Sequence, residues 1–313
     1  MFEGKRVAVV VPAYDEEGLV VETLRGIPEL VDRIYVVDDA SKDATGEQAR
    51  NVGDPRVEVI RHERNKGVGA AIVTGYRRAL EEGIDVACVM AADNQMDPAE
   101  LEKIVGPVAR GEAEYAKANR LFSGEAWNVI PRTRYLGNAV LSLLTKIASG
   151  YWHVADSQAG YTALSADALH RLDLDRIYPR YGFPNDLLVH LNVQNARVRD
   201  VPSRPIYNIG ERSGIRLRSV IPRISWLLFK GFWWRMGHKY VIRDFHPLVF
   251  FYSFGVLMTL AGFTLGVLEL VLRIAGNAIT TPTIVLVAVL LIAGLQMTLF
   301  AMWFDMEANK ELR

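Results

Sequence analysis

The stretch Ala91-Ala92-Asp93-Asn94-Gln95-Met96-Asp97-Pro98 concentrates more chemistry than any other in this chain. An apolar run, Val86 to Met90, leads into it, and a helix-start signal follows. Asp93 and Gln95 are two apart, so in an extended segment both side chains leave the same face. A carboxylate and an amide oxygen so placed suit a hard divalent cation, Mg2+ or Mn2+. The competing reading is a polar turn between a strand and a helix. Asp97 separates from this pair. Asp97-Pro98-Ala99-Glu100 has Asp at a helix cap, proline at the first position and glutamate at the third.

Other polar residues sit where apolar runs end. Tyr14, Asp15 and Glu16 follow Val7–Val11, and Asp38 and Asp39 follow Ile34–Val37. Carboxylates at such ends either accept hydrogen bonds from a ligand or cap the next turn. Asn65 to Gly69 is a glycine-rich approach to a helix, where backbone N–H groups can face phosphate or sugar oxygens. Tight packing explains those glycines equally well. Arg120 and Arg134, with Arg132 and Asn138 near the second, form a set of phosphate-pairing groups or a solvated basic helix face.

The elements that must hold these residues follow from periodicity. Val7–Val11, Ile34–Val37, Val57–Ile60 and Val86–Met90 are apolar runs without alternation, as in a parallel sheet covered on both faces. Helical patterns at Glu17–Arg25, Thr45–Asn51, Gly69–Glu82 and Pro98–Arg110 lie between or after them. This predicts an α/β layer fold with a mostly parallel sheet, which binds ligands at the carboxyl ends of its strands. Further on, Pro131–Ala148 and Asn185–Asn192 read as helices, and Ala159–Leu164 and Val198–Val201 as strands.

Composition narrows the function. The 313 residues carry 36 basic and 36 acidic side chains. Residues 216–243 hold seven of the bases and no acid, and residues 244–313 hold three bases and five acids. That leaves 26 bases and 31 acids before residue 216, which argues against a nucleic-acid binder. A single cysteine, Cys88, excludes disulfide scaffolds and cysteine-based zinc sites. No signal-peptide pattern precedes the first strand, so the N-terminal part is expected in the cytosol. Residues 219–242 read as a basic amphipathic helix in a membrane interface, with Ile221, Ile224, Leu227 and Leu228 at helical spacing and Phe232, Trp233 and Trp234 clustered. Residues 247–268 and 282–304 carry no charge and read as a transmembrane hairpin. The basic belt before it places that side in the cytoplasm.

Val10-Val11-Pro12-Ala13-Tyr14-Asp15-Glu16, Val36 to Ser41, Asn65 to Ala71 and the opening stretch occur in the order and spacing of family 2 glycosyltransferases. With the hairpin, the chain resembles polyprenyl-phosphate members of that family, such as dolichyl-phosphate mannose synthases and bacterial polyprenyl-phosphate glucosyltransferases. The resemblance implies a GT-A, Rossmann-like catalytic domain over 1–215, a juxtamembrane helix over 216–243 and a membrane hairpin with tail over 244–313. It implies transfer of a hexose, with inversion, from a nucleotide sugar to a polyprenyl phosphate. UDP-glucose or a related UDP-hexose is the first expected donor and GDP-mannose the second.

Residue by residue, the resemblance casts Pro12, Ala13, Tyr14, Glu16, Asp38, Asp39, Lys66, Ala92 and Asp93 as nucleotide-sugar contacts. It casts Asp93 and Gln95 as metal ligands, with Ala91 standing where the family commonly has another Asp. Arg120, Arg132, Arg134, Asn138, Arg212 and Ser213 match the acceptor-phosphate positions, and Asp93, Asp156 and Arg134 are cast as catalytic. Asp156, in Asp156-Ser157-Gln158-Ala159-Gly160-Tyr161, is a sugar or acceptor contact or else a turn cap, and Asp186 is its alternative. Expected partners are the donor, the lipid, the bilayer and, as an open alternative, a second copy of the chain. Two rival readings stand: a processive polysaccharide synthase and a membrane-anchored nucleotide-sugar binder without turnover.

Overall fold

The computed structural model describes residues 1–122, 132–204, 206, 217–243, 245–276, 278 and 280–313, without the side chains of 132–134, 136 and 217–220. The chain forms two compact units, Met1–Phe232 with Glu311–Arg313, and Trp233–Lys310.

The first unit is built on a seven-stranded sheet of order β3-β2-β1-β4-β6-β5-β7. Its strands are β1 (Val7–Ala13), β2 (Arg33–Asp38), β3 (Val57–Arg61), β4 (Val86–Val89), β5 (Tyr115–Asn119), β6 (Thr162–Ser165) and β7 (Val198–Pro202). Only β6 runs antiparallel to its neighbours, β4 and β5. The other pairings are parallel. The helices of this unit are α1 (Val20–Gly26), α2 (Thr45–Arg50), α3 (Val68–Glu81), α4 (Leu101–Ala109), α5 (Arg132–Ser149), α6 (Ala166–Arg171), α7 (Phe183–Val193) and most of α8 (Leu217–Gly237).

The apolar runs of β1, β2 and β4 are fully buried because both sheet faces are covered, while that of β3, at the edge of the sheet, is half-buried. Val7, Val9, Val11, Ile34, Val36, Val86 and Cys88 join one core cluster. Their alternates Ala8, Val10, Tyr35, Val37, Ala87 and Val89 join the other. This is the period-two partition expected of a covered parallel sheet. All strands except β6 end at one edge, and β6 begins there. Sequence reading misses β5 altogether. Its pattern, Tyr115-Ala116-Lys117-Ala118-Asn119, puts polar groups where the fold buries all five residues.

The juxtamembrane helix departs from expectation. Ile224 and Leu228 are buried. The Leu227 side chain lies against Gly182, at the start of α7, and Gly231 lies against Val189. Much of its apolar stripe therefore packs on the rest of the first unit, while Ile221, Trp226 and Phe229 are exposed.

In the second unit, α9 (Leu248–Ile274) and α10 (Thr281–Ala308) are each long and apolar enough to cross a membrane, and only 11% of each span window is buried. Core helices of a soluble protein would be covered; these are not. The two backbones touch through small residues. A Cβ on Gly255 would lie 2.6 Å from Thr298 Oγ1, and one on Gly294 would lie 2.5 Å from Thr259 Oγ1. Arg235 and Lys239, counted above in a basic belt, are buried instead. Arg235 forks onto Asp305 at 2.7 and 2.9 Å, and Lys239 Nζ donates to Asn309 Oδ1 at 2.7 Å. Their counter-groups lie 70 residues away, so the local pattern conceals the burial.

Candidate active site

The site residues enter from loops at the shared carboxyl edge. Pro12 and Ala13 close β1 and are buried, and Ala13 O accepts from Asp39 N at 2.9 Å. Ala92 is also buried, its carbonyl taken by Thr23 Oγ1 at 3.2 Å. These three shape the loop and present no side-chain donor. Tyr14 is 41% exposed, Asp15 exposed and Glu16 half-buried, so a ligand can reach all three. The loop is clipped to the one after β2. Asp15 N donates to Ser41 Oγ at 3.1 Å, Asp15 Oδ1 accepts from Lys42 N at 2.7 Å, and Glu16 N donates to Thr45 Oγ1 at 2.8 Å.

Asp38 and Asp39 differ from the expected pair of ligand contacts. Both are buried. Asp39 Oδ1 accepts from Lys66 N at 2.8 Å and sits 2.7 Å from His62 Nδ1, while Oδ2 accepts from Gly67 N at 2.8 Å. The amides read as facing a phosphate thus face Asp39. They hold Gly67 at φ +100°, where a Cβ would meet Pro179 O at 2.6 Å. Of the Lys66 groups, only the exposed side chain remains for a ligand. Asp38 Oδ1 accepts from Ser41 N at 2.8 Å. Its Oδ2 makes no hydrogen bond; Arg61 Nη1 lies 3.3 Å away, close enough for charge attraction without bonding geometry.

After β4 the chain turns rather than extends. Asn94 takes φ +55°, a conformation asparagine tolerates, and Asp93 Oδ1 accepts from Gln95 N at 3.1 Å. The same-face argument for Asp93 and Gln95 therefore fails; the turn brings them near each other instead. Asp97 caps as expected, Oδ1 accepting from Ala99 N at 2.9 Å. Glu100 does not close the box. It is buried and accepts from Ser203 Oγ and Arg204 N.

The Glu16 carboxyl is pushed up to about 7, first by burial and then by Asp93, Asp43 and Asp15. Glu16 and Asp93 therefore lie close enough to act on each other as an acid pair. Among the described residues, no three His, Cys, Asp or Glu side chains form a metal cage. The pair fits a cation that takes one or two carboxylates and completes its shell with substrate phosphates.

Across the sheet the pattern reverses. Asp156 is fully buried and accepts from Arg120 Nε at 2.8 Å, Arg120 Nη2 at 3.3 Å and Gln158 N at 3.2 Å. Burial raises its carboxyl, but Arg120 and Lys117 outweigh that and hold it below the usual range. Asp156 is thus the fork that aims Arg120, and it presents no surface to a sugar. Asp186 is mostly buried, and its Oδ2 accepts from Tyr178 N at 2.8 Å, with His190 Nε2 at 3.7 Å. Arg132, Arg134 and Asn138 fall on α5, and Asn138 is half-buried. The side chains of Arg132 and Arg134, and all of Arg212 and Ser213, lie outside the described residues. Sequence reading passes over Lys117 and Asp200. The available signal is a charge inside each of two short apolar runs, 115–118 and 198–201.

Comparison with known proteins identifies the family and the fold. The model of glycosyl transferase family 2 matches residues 8–173. The UDP-N-acetylglucosamine–dolichyl-phosphate N-acetylglucosaminyltransferase of Methanococcus voltae is 31% identical, over 65% of this chain and 86% of that protein. The undecaprenyl-phosphate mannosyltransferase of Micrococcus luteus is 33% identical, over 63% of this chain and 82% of that one. Glucosyl-3-phosphoglycerate synthase from Mycobacterium tuberculosis, solved with Mn2+, UDP and glucosyl-3-phosphoglycerate, superposes with a TM-score of 0.55 at 21% identity. That likeness covers 75% of this chain and 81% of that one, and speaks for the fold alone. The matched span takes in the loops after β1, β2 and β4 and the Asp156 turn, and the chain belongs to glycosyl transferase family 2.

Proposed function

We propose that this protein transfers a hexose, with inversion, from a nucleoside-diphosphate sugar to a polyprenyl phosphate at the cytoplasmic membrane face. One observation carries the reading. Glu16, raised by burial and by Asp93, follows β1, and Asp93 and the Asp156-oriented Arg120 leave the same sheet edge after β4 and β5. Only β6 separates these strands, a lateral offset of about 10 Å. A diphosphate with its cation suits the first position and a phosphate monoester the second.

Tyr14 and the half-buried Glu16 are the groups the first loop offers the donor, and Lys66 contributes its side chain. Asp93, with Glu16 and Gln95, would hold Mg2+ or Mn2+, which when bound neutralises the leaving diphosphate. Arg120, with Arg134 and Asn138 from α5, positions the acceptor. A phosphate monoester has its second pKa near ~6, so it arrives deprotonated and needs no strong general base. Its problem is approach to an anionic donor, which the arginines solve by orientation and charge.

The family relatives support a lipid-phosphate acceptor, since the two named above act on dolichyl and undecaprenyl phosphate. A UDP-hexose is the first choice of donor and GDP-mannose the second. Exposed Arg223, Lys230 and Arg243 support the cytoplasmic side for the catalytic unit. The test is a screen of nucleotide sugars against polyprenyl phosphate, with purified full-length protein and Mg2+ or Mn2+, reading lipid-linked product. One sugar transferred per lipid is expected. Binding of a nucleotide sugar with no transfer to any polyprenyl phosphate sinks the enzyme reading, and a growing polymer would make it a processive synthase.

A further inference from the structure

Lys117 sits within β5 with no exposed surface. A strand interior seldom holds an ammonium group, because burying the charge is unfavourable unless fixed partners compensate it. Here the partners are specific. Nζ donates to the main-chain oxygen of Asp156, and to that of Ala159 at 3.4 Å. These two carbonyls bracket the turn that carries the Asp156 carboxylate. That carboxylate forks onto Arg120, whose side chain is 23% exposed.

On its other side Lys117 stands in register with Asp200 of β7. Asp200 Oδ2 accepts from Ala155 N at 2.7 Å and from Asn119 Nδ2 at 3.1 Å, while the buried Oδ1 makes no hydrogen bond. Both carboxylates act on the Lys117 charge, and it acts on theirs. The cluster thus holds two cations and two anions. Lys117 and Asn119 share one face of β5: Lys117 binds the 156–159 turn directly, and Asn119 reaches Ala155 through Asp200. Arg120, the next residue, emerges toward the edge.

A methionine at this position would fill the strand without burying a charge. What the ammonium adds is a grip on the Asp156–Ala159 turn and a balance of charge. Without it, Arg120 would face two carboxylates alone, and the cluster would carry a net negative charge beside the place where a phosphate must dock.

We propose that Lys117 is a positioning residue for the acceptor phosphate. It fixes the turn that presents Asp156, and Asp156 in turn aims the Arg120 guanidinium. This rests on Arg120 being an acceptor contact, as in the function proposed above. Lys117 touches no substrate; its effect passes through Arg120.

The experiment compares Lys117→Met, Arg120→Ala and the double variant of the full-length protein in detergent. Each substrate is varied in turn, with polyprenyl monophosphate as acceptor. Lys117→Met is expected to raise KM for the lipid about tenfold, the scale of a lost charge-assisted contact, with donor KM moved less than about twofold. The double variant is expected to match Arg120→Ala alone within about twofold, because residues acting through one contact are not additive. Multiplying losses, or a donor KM that rises with the acceptor KM, would overturn the proposal and leave Lys117 a core strut. If Arg120→Ala leaves the acceptor KM unchanged, the Arg120 contact and this inference both fall, while transfer by the unaltered protein still upholds the glycosyltransferase reading. Nucleoside-diphosphate affinity checks folding. If Lys117→Met loses it, Lys117→Gln, a neutral amide that keeps a donor near the carbonyls, is put to the same criteria.

Discussion

The two halves of the carboxyl edge handle charge in opposite ways. Around β1 and β4, Glu16 is raised to about 7 by burial and by neighbouring acids. Around β5 and β7, Lys117, Arg120, Asp156 and Asp200 are arranged as opposed charges. Asp156 is held ionised by its partners in spite of full burial. One half sets acid beside acid; the other sets each carboxylate beside a cation. A diphosphate that brings its own cation can finish the first half. A lipid phosphate brings no cation, so the protein must supply fixed positive charge. The contrast therefore reads as a division between donor and acceptor.

The largest effect is expected where charge is already balanced. Asp156→Ala leaves Arg120 and Lys117 facing each other without their shared carboxylate. Removing one member of a buried ion pair typically costs about 3–5 kcal/mol, and that loss of stability is expected in denaturant or thermal melts. A variant that melts like the parent would show that this half is not pre-assembled, and the comparison would collapse.

Asp93→Ala tests the other half and should behave in reverse. Transfer is expected to fall about 10²–10³-fold in kcat/KM, the scale of losing one electrostatic support of the transition state. Stability without metal should hold or rise, since Glu16 loses a repelling neighbour. Asp97→Ala is the control four residues away: the lost cap costs about 1 kcal/mol of stability while transfer continues. Activity assays with matched melts separate the two. If Asp93→Ala destabilises as Asp156→Ala does, both carboxylates are structural and the donor assignment fails.

This asymmetry also explains what could be read from the sequence. Strands β1 to β4 and the Asp97 cap were legible because they depend on neighbours in the chain: β-branched runs and an Asp-Pro start. The family motifs point to the loops after β1, β2 and β4, and the fold commits some of their polar groups to structure. Asp39 looked like a ligand contact until His62, Lys66 and Gly67 appeared as its partners. Strand β5 was missed because a buried lysine contradicts local pattern. Its compensation comes from residues 156, 159 and 200, which only the fold brings near. Arg235 misled for the same reason, its counter-charge lying on α10. Local physics reveals elements and caps; compensated burial is decided by topology.

The smallest effect is the most discriminating, because it reads the repulsion itself. Glu16 titrates at about 7 in the folded protein against an ordinary 4.5. Between those values the folded state keeps a proton that the unfolded state has released. Metal-free stability from this group is therefore full below pH 4.5 and falls until about pH 7. Glu16→Gln lacks this slope. Glu16 is half-exposed and screened, so the variant should gain only about 1 kcal/mol over the parent at about pH 8 in EDTA. Well below pH 4.5, where Glu16 is protonated in both states, the gain should vanish. Mg2+ with a nucleoside diphosphate should then shrink the pH 8 gap, because positive charge at Asp93 relieves the same repulsion that the substitution removes. A gap that persists unchanged with metal and nucleotide present would mean that the acid pair does not receive the cation, and the donor half would lose its defining property.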